Sequence, residues 1–287
     1  MNTKIMYWSR HILWRHLICG FFSLFAIFPV FFMATTALDK FGQLSTTRVV
    51  PSSLSFDNFT RLFDYEEGAF FLWMRNGVSI SFAIAILNLF IGTSAAYAIS
   101  RYKFYGRRNL LMMVVLLGMF PTLLSLTTLY LIMSSIGDAI PGVGVGTRLG
   151  LILLFAGGAL SVGTWFLKNY IDSIPIELDD AAKMDGAHHF YIFVRIIVPL
   201  CAPVLAIQTL FGFLGGLNEY LITAIILGNE KEVTTVAVGM QTFLTTNAQN
   251  WGAFAAGASI ITFPVIGLFI YLQKHIAAGL TAGAVNS

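Results

Sequence analysis

The sequence predicts an all-α, polytopic membrane protein with six transmembrane helices, and three observations lead there. Of its 287 residues, 57% are hydrophobic and only 11% charged, with a mean hydropathy of +0.78; a soluble globule of this length needs more polar surface. Six separate apolar runs each approach the roughly 20 residues that a helix needs to cross a bilayer. The basic residues fall in short clusters between those runs, and such clusters fix the orientation of a multi-pass chain.

The expected spans are Leu17–Ala37, Val78–Ile99, Leu110–Met133, Leu149–Leu167, Cys201–Leu227 and Ala253–Leu272. Lys4, Arg10 and Arg15 before the first run, and Ala34 and Ala37 at its end, would also suit a cleaved signal; the five spans that follow favour a retained helix. With the N-terminus (1–16) inside, segments 100–109, 168–200 and 273–287 are cytoplasmic too. Together these four hold eleven of the 17 basic residues, so both termini are expected in the cytoplasm. On the opposite side, the loop 38–77 holds a turn at Pro51-Ser52-Ser53 and then a short amphipathic helix capped by Asp57 or Ser55. Gly142–Gly146 lacks the GxGxxG spacing and a preceding strand, and is expected as a flexible turn. The loop 228–251 is polar and long enough to reach a partner.

Several function classes drop out. A net charge of +3, spread along the chain, gives nucleic acid no patch to bind. Cys19 and Cys201 are far apart, with no CxxC and no histidine at metal spacing. HExxH and the phosphate-binding G-x-x-x-x-G-K-[ST] are both missing, so any ATP must be handled by another polypeptide.

The longest cytoplasmic connection, 168–200, is unlike a simple linker. Ser173 can cap a helix whose first turns hold Pro175, Glu177, Asp179 and Asp180, all favourable near the positive end of a helix dipole, and Gly186 can end it. Phe190–Val198 is apolar apart from Arg195 but too short to span, and is expected at the membrane interface before Pro199 and Pro203 begin the next helix. In the fifth span, Asn218, Glu219 and Tyr220 follow Gly212, Gly215 and Gly216. A carboxylate at mid-membrane costs about 2.5–3.5 kcal/mol unless it faces protein or water. These three residues therefore either border a translocation path or bond a partner subunit, and Gln208 shares the ambiguity.

The pattern Asp180-Ala181-Ala182, Asp185-Gly186-Ala187, Ile196 and Pro199 resembles the EAA loop of ABC importer permeases, with Asp180 where that family usually has Glu. Met119-Phe120-Pro121, Thr235–Met240 and Gly279–Val285 look like the carbohydrate-importer permeases of MalG type, a likeness that covers roughly 75–287 and leaves the N-terminal third similar only in layout. The resemblance implies a type I ABC importer permease fold with a cytoplasmic coupling helix in a bacterial inner membrane. It also implies import of a sugar or oligosaccharide, maltodextrin-like or other, by alternating access. Implied partners are a second, larger permease, two copies of a cytoplasmic ATPase, a periplasmic or extracellular solute-binding protein, the sugar and membrane lipid. ATP and Mg belong to the ATPase; this chain binds no cofactor and is no enzyme.

By the same resemblance, Glu177, Asp179, Asp180, Asp185, Ala181, Ala182 and Gly186 meet the ATPase, the acids through Arg or Lys and the small residues by close docking. The tail residues Gly279, Leu280, Thr281, Ala282 and Gly283 reach between the two ATPase copies. Asn229, Glu230, Lys231, Glu232, Thr245, Thr246 and Asn247 contact the binding protein.

Overall fold

The computed structural model describes residues 12–40, 51, 53–228, 230–245 and 250–284, and these are nearly all helical, with one isolated bridge between Asp39 and Leu54. In chain order the helices are α1 (Leu13–Leu38), α2 (Asp57–Asp64), α3 (Ala69–Arg101), α4 (Arg107–Gly118), α5 (Thr122–Ala139), α6 (Arg148–Gly157) and α7 (Val162–Asp172). They continue with α8 (Glu177–Met184), α9 (His189–Leu200), α10 (Ala202–Asn218), α11 (Leu221–Leu227), α12 (Val236–Thr245) and α13 (Trp251–Ala284). Among the described residues, α1, α3 and α13 are each long and apolar enough to cross a membrane. The bent pairs α4/α5, α6/α7 and α9/α10 raise the number to six if each pair is one span.

The breaks correct the picture of six plain spans. Pro121, which has no N–H to donate, separates α4 from α5. The second pair bends by 53° over Gly158–Ser161, and the third by 79° at Cys201, between Pro199 and Pro203. An unpaired backbone group costs several kcal/mol in lipid, so a broken helix must have its freed groups bonded by protein. At the α6/α7 break, Thr164 Oγ1 donates to the Ala159 carbonyl at 2.9 Å, and Gln208 Nε2 donates to the Gly163 carbonyl at 2.6 Å.

Helix bounds differ from the hydropathy runs for identifiable reasons. Helix α3 starts at Ala69, because the buried Asn76 finds carbonyl partners for its amide and so does not end the helix. The fifth run stops at Asn218, and Leu221–Leu227 forms a separate helix. The expected tail from 273 instead prolongs α13 as far as Ala284.

The chain divides into two compact units, residues 1–70 with 240–262 and residues 71–239 with 263–287. In the first, buried Asn58 donates Nδ2 to the carbonyls of Ala37 (3.0 Å) and Asp39 (2.7 Å), tying α2 to the end of α1. Of the two caps read for α2, Ser55 is the one that bonds, accepting the Asp57 N–H at 3.0 Å. The second unit has two apolar clusters. One gathers Tyr97, Leu167, Ile171, Ile174, Ile192, Ile197 and Cys201; the other gathers Ile80, Ile84, Met133, Leu151, Ile222 and Ile226. Gly212 and Gly216 allow α10 close to α3, since a Cβ on them would lie 3.4 Å from Ala85 Cα and 3.0 Å from Ser81 Cα. That is the close packing expected of glycines between membrane helices.

Candidate functional site

Helix α8 is short and sharply bounded. Its first turn carries Glu177, Asp179 and Asp180, its last turn Lys183, and both suit the helix dipole. Ser173 does not cap it. The hydroxyl of Ser173 bonds the Tyr170 carbonyl at the end of α7, and Ile176 precedes α8 without a side-chain cap. At the other end the reading of Gly186 holds. With φ +83 it is left-handed, its N–H bonds the Lys183 carbonyl and the Ala187 N–H bonds the Ala182 carbonyl, both at 2.9 Å. This pair of bonds is a Schellman closure.

The four acids read as facing a partner separate into two kinds. Glu177, Asp180 and Asp185 are exposed, Asp180 in an ion pair with Lys183 at 2.8 Å, which raises the pKa of Lys183. Asp179 is only 2% exposed and points inward, with Oδ2 3.1 Å from Arg101 Nε at the end of α3. Arg101 Nη2 also donates to the Ile174 carbonyl at 3.0 Å. The Nε–carboxylate contact is an ion pair rather than an aligned hydrogen bond, and Asp179 Oδ1 is buried without a hydrogen-bond partner. One residue earlier, Ser100 donates to Asp172 at 2.6 Å. Ala182 lies on the same inner face and packs on the Tyr97 cluster, whereas Ala181 is exposed. The outer face of this short segment also displays Ile176, Leu178 and Met184, at 50, 43 and 89% exposure.

The remaining motif positions lie in α9, which contains a π turn at Phe193–Ile197. Ile196 packs against the same cluster and Pro199 is exposed. Phe190–Val198 is thus helical within α9, apolar as read, and α9 meets α10 at a bend of 79°.

The fifth-span polar residues lie at a helix break rather than within one continuous helix. Glu219 occupies the break between α10 and α11, and its Oε1 accepts the Ile222 N–H at 2.7 Å. Asn218 donates to the Leu214 carbonyl at 2.9 Å, and Tyr220 is partly exposed. A cavity of about 590 Å³ lies elsewhere in the second unit, between α3, the α6/α7 break and α10. Asn88, Ser161, Thr164 and Gln208 give it polar groups, and Asn88 Oδ1 is buried there without a partner. Asn218, Glu219 and Tyr220 do not line it. The Gly157-Gly158 pair and Asn88 inside an apolar run were its sequence signals.

The segment 228–251 is less of a loop than expected, since α12 occupies 236–245. Asn76 Nδ2 on α3 donates to the carbonyls of Glu232 and Thr234, both at 3.0 Å, and Arg148 donates to the Glu232 carbonyl as well. The side chains of Glu230 and Glu232 stay exposed, Lys231 is half-buried, and Thr245 is exposed at the end of α12. Asn229, Thr246 and Asn247 lie outside the described residues, as do 1–11, Ser52 and 285–287. Gly279, Leu280, Thr281, Ala282 and Gly283 are helical, in α13.

Residues 88–281 match the family described as binding-protein-dependent transport system inner membrane component. The chain is 35% identical to the maltodextrin transport system permease protein MdxG of Bacillus subtilis, over 92% of each chain. It is 33% identical to the galactooligosaccharides transport system permease protein GanQ of the same organism, over 99% of each. These matches take in the N-terminal third, which the motifs had left out. A crystal structure of a bacterial ABC transporter involved in import of the acidic polysaccharide alginate includes a chain of the same fold. That chain shows a TM-score of 0.74 and 20% identity, with 96% of this chain and 98% of that one covered. The chain therefore belongs to the family of inner-membrane components of binding-protein-dependent transport systems.

Proposed function

We propose that this permease carries a sugar or oligosaccharide inward, by alternating access, as one half of a permease heterodimer in an ATP-driven ABC importer. A loaded solute-binding protein docks outside, and two copies of an ATPase, which hold the ATP and Mg, close beneath. The observation that carries the proposal is α8, a short helix that displays Glu177, Asp180 and Asp185 while Asp179 anchors it to α3. Exposed carboxylates beside exposed Ile176, Leu178 and Met184 give an ATPase both a charged and an apolar contact. In this orientation both termini are cytoplasmic, α8 faces the ATPase together with the end of α13, and the segment around Glu230–Glu232 faces the binding protein. Sugar passes along the cavity lined by Asn88 and Gln208, whose amides suit hydroxyl groups. The six apolar runs read from the sequence carry no Lys or Arg, which favours a neutral sugar over an anionic one.

Uptake of labelled maltodextrins into vesicles bearing the whole complex tests the proposal. Uptake should need ATP inside and the binding protein outside. Asp180→Lys should insert normally, lose ATPase association and abolish uptake; full uptake by this variant, or uptake that survives without the ATPase and collapses with an uncoupler, would overturn the assignment.

A further inference from the structure

Helix α3 is fastened at both ends, and each fastening joins it to a segment with a separate job in the importer. At its C-terminal end, Arg101 holds the buried Asp179 of α8 and the Ile174 carbonyl just before that helix. Near its N-terminal end, the fully buried Asn76 holds the Glu232 and Thr234 carbonyls. Packing there is close: a Cβ on Gly77 would lie 2.8 Å from Val236 Cγ1. Between Asn76 and Arg101 the helix is unbroken, unlike the three bent pairs. Those two positions are roughly 37 Å apart at 1.5 Å per residue, more than the roughly 30 Å of a bilayer's hydrocarbon. The stretch between the two fastenings is therefore long enough to reach from one side of the hydrocarbon to the other.

We propose that Arg101 and Asn76 are positioning residues which make α3 a rigid strut between the ATPase-facing helix α8 and the binding-protein-facing segment 230–239. The proposal rests on the importer function above. Packing seats both segments, and the buried polar bonds, being directional, add a fixed point at each end of α3 through which a displacement can be passed. A displacement of α8 along the membrane normal is passed through the ion pair to an unbroken helix and appears at the Glu232 and Thr234 backbone. In the other direction, a binding protein that presses on 230–239 loads α8. Coupling of this kind is reciprocal by thermodynamic necessity.

The test is ATP hydrolysis by the complete complex in vesicles, measured with and without sugar-loaded binding protein. Removing one partner of a buried ion pair strands the other charge, so the decisive variant at the α8 end is the double Arg101→Leu/Asp179→Leu. Asn76→Ala tests the other end, and Arg101→Lys and Asn76→Ser serve if either fails to insert. Each should keep ATPase copurification and basal turnover while stimulation by the binding protein falls roughly 5- to 10-fold, in the lower range of couplings between distant sites. Stimulation at the wild-type level in either variant would overturn the proposal. So would loss of copurification in step with stimulation, since Arg101 and Asn76 would then merely support the fold. A wild-type complex with no stimulated turnover would instead sink the importer function, and that outcome is visible before any variant is compared.

Discussion

The two ends of α3 are held by different chemistry. At the α8 end a buried charge pair does it, Arg101 to Asp179, and the end of the helix is open: a Cβ added to Gly186 would meet nothing within 4 Å. At the 230–239 end the bonds are neutral, from one amide to two carbonyls, and the surroundings are full. A Cβ on Gly239 would stand 2.2 Å from Trp73 Cδ2, and Trp73 is only 3% exposed. The segment proposed to dock to another protein keeps space on its outer face, and one buried ion pair within sets how it is seated on α3. A segment seated by shape has no such space. The two ends should accordingly fail in different ways when a side chain is added.

The largest effect is expected at the crowded end. Gly239→Val places a branched side chain into the buried indole, where overpacking typically costs about 1–3 kcal/mol, and the protein should be recovered in much lower monodisperse yield from detergent. Normal yield would show that Trp73 can move aside and that this end is not seated by shape. Gly186→Val meets no neighbour and suffers only its left-handed backbone, about 1–2 kcal/mol. Yield should remain near normal while ATPase copurification falls, because the Schellman closure of α8 is lost; unchanged copurification would show that the closure is irrelevant to docking.

The same contrast explains what could be read from the sequence. Everything that defines α8 is local: first-turn acids, small Ala181 and Ala182, and a glycine at the point where the chain must turn. Its existence and its C-terminal closure were therefore legible. The inward turn of Asp179 was not, because its partner Arg101 belongs to another helix, and an acid looks the same on paper whether it faces an ATPase or a buried guanidinium. Nor could Glu232 reveal that Asn76 would hold its backbone. The six apolar runs gave the architecture, but hydropathy carries no sign of where Gly157-Gly158 or Pro199 and Pro203 bend a span. The cavity exists because such a bend in α6/α7 meets Gly92 and Gly212 on two other helices, which no single stretch encodes. Glu219 was read as bordering a path or bonding a partner; that its Oε1 accepts the Ile222 N–H at a helix start depends on the break after Asn218, which the apolar run did not reveal.

Between its two ends, α3 lines that cavity with Asn88 and Gly92. Gln208→Leu removes the bond to the Gly163 carbonyl at 2.6 Å, worth about 1 kcal/mol, and deletes a polar group from the wall. Uptake should fall several-fold while stimulation of hydrolysis by the binding protein is retained, since neither fastening of α3 is touched. Loss of stimulation together with uptake would mean that the α6/α7 break belongs to the coupling machinery rather than to the path.

The smallest effect should come from Lys183→Ala. Lys183 and Asp180 are paired at 2.8 Å, but both side chains are largely exposed, and such pairs on a helix surface contribute little. The hydrogen bond that Lys183 donates to Asp180 raises the pKa of Lys183, so the stabilisation it brings is complete at neutral pH and is lost only as pH climbs through the range where a lysine deprotonates. The thermal midpoint of the variant should lie only slightly below that of the wild type, by the same small amount throughout the neutral range. ATPase association should hold or strengthen, because Asp180 no longer has an internal cation competing for it. Weaker association would mean that Lys183 itself meets the ATPase, and the docking face of α8 would then be mixed in charge rather than acidic.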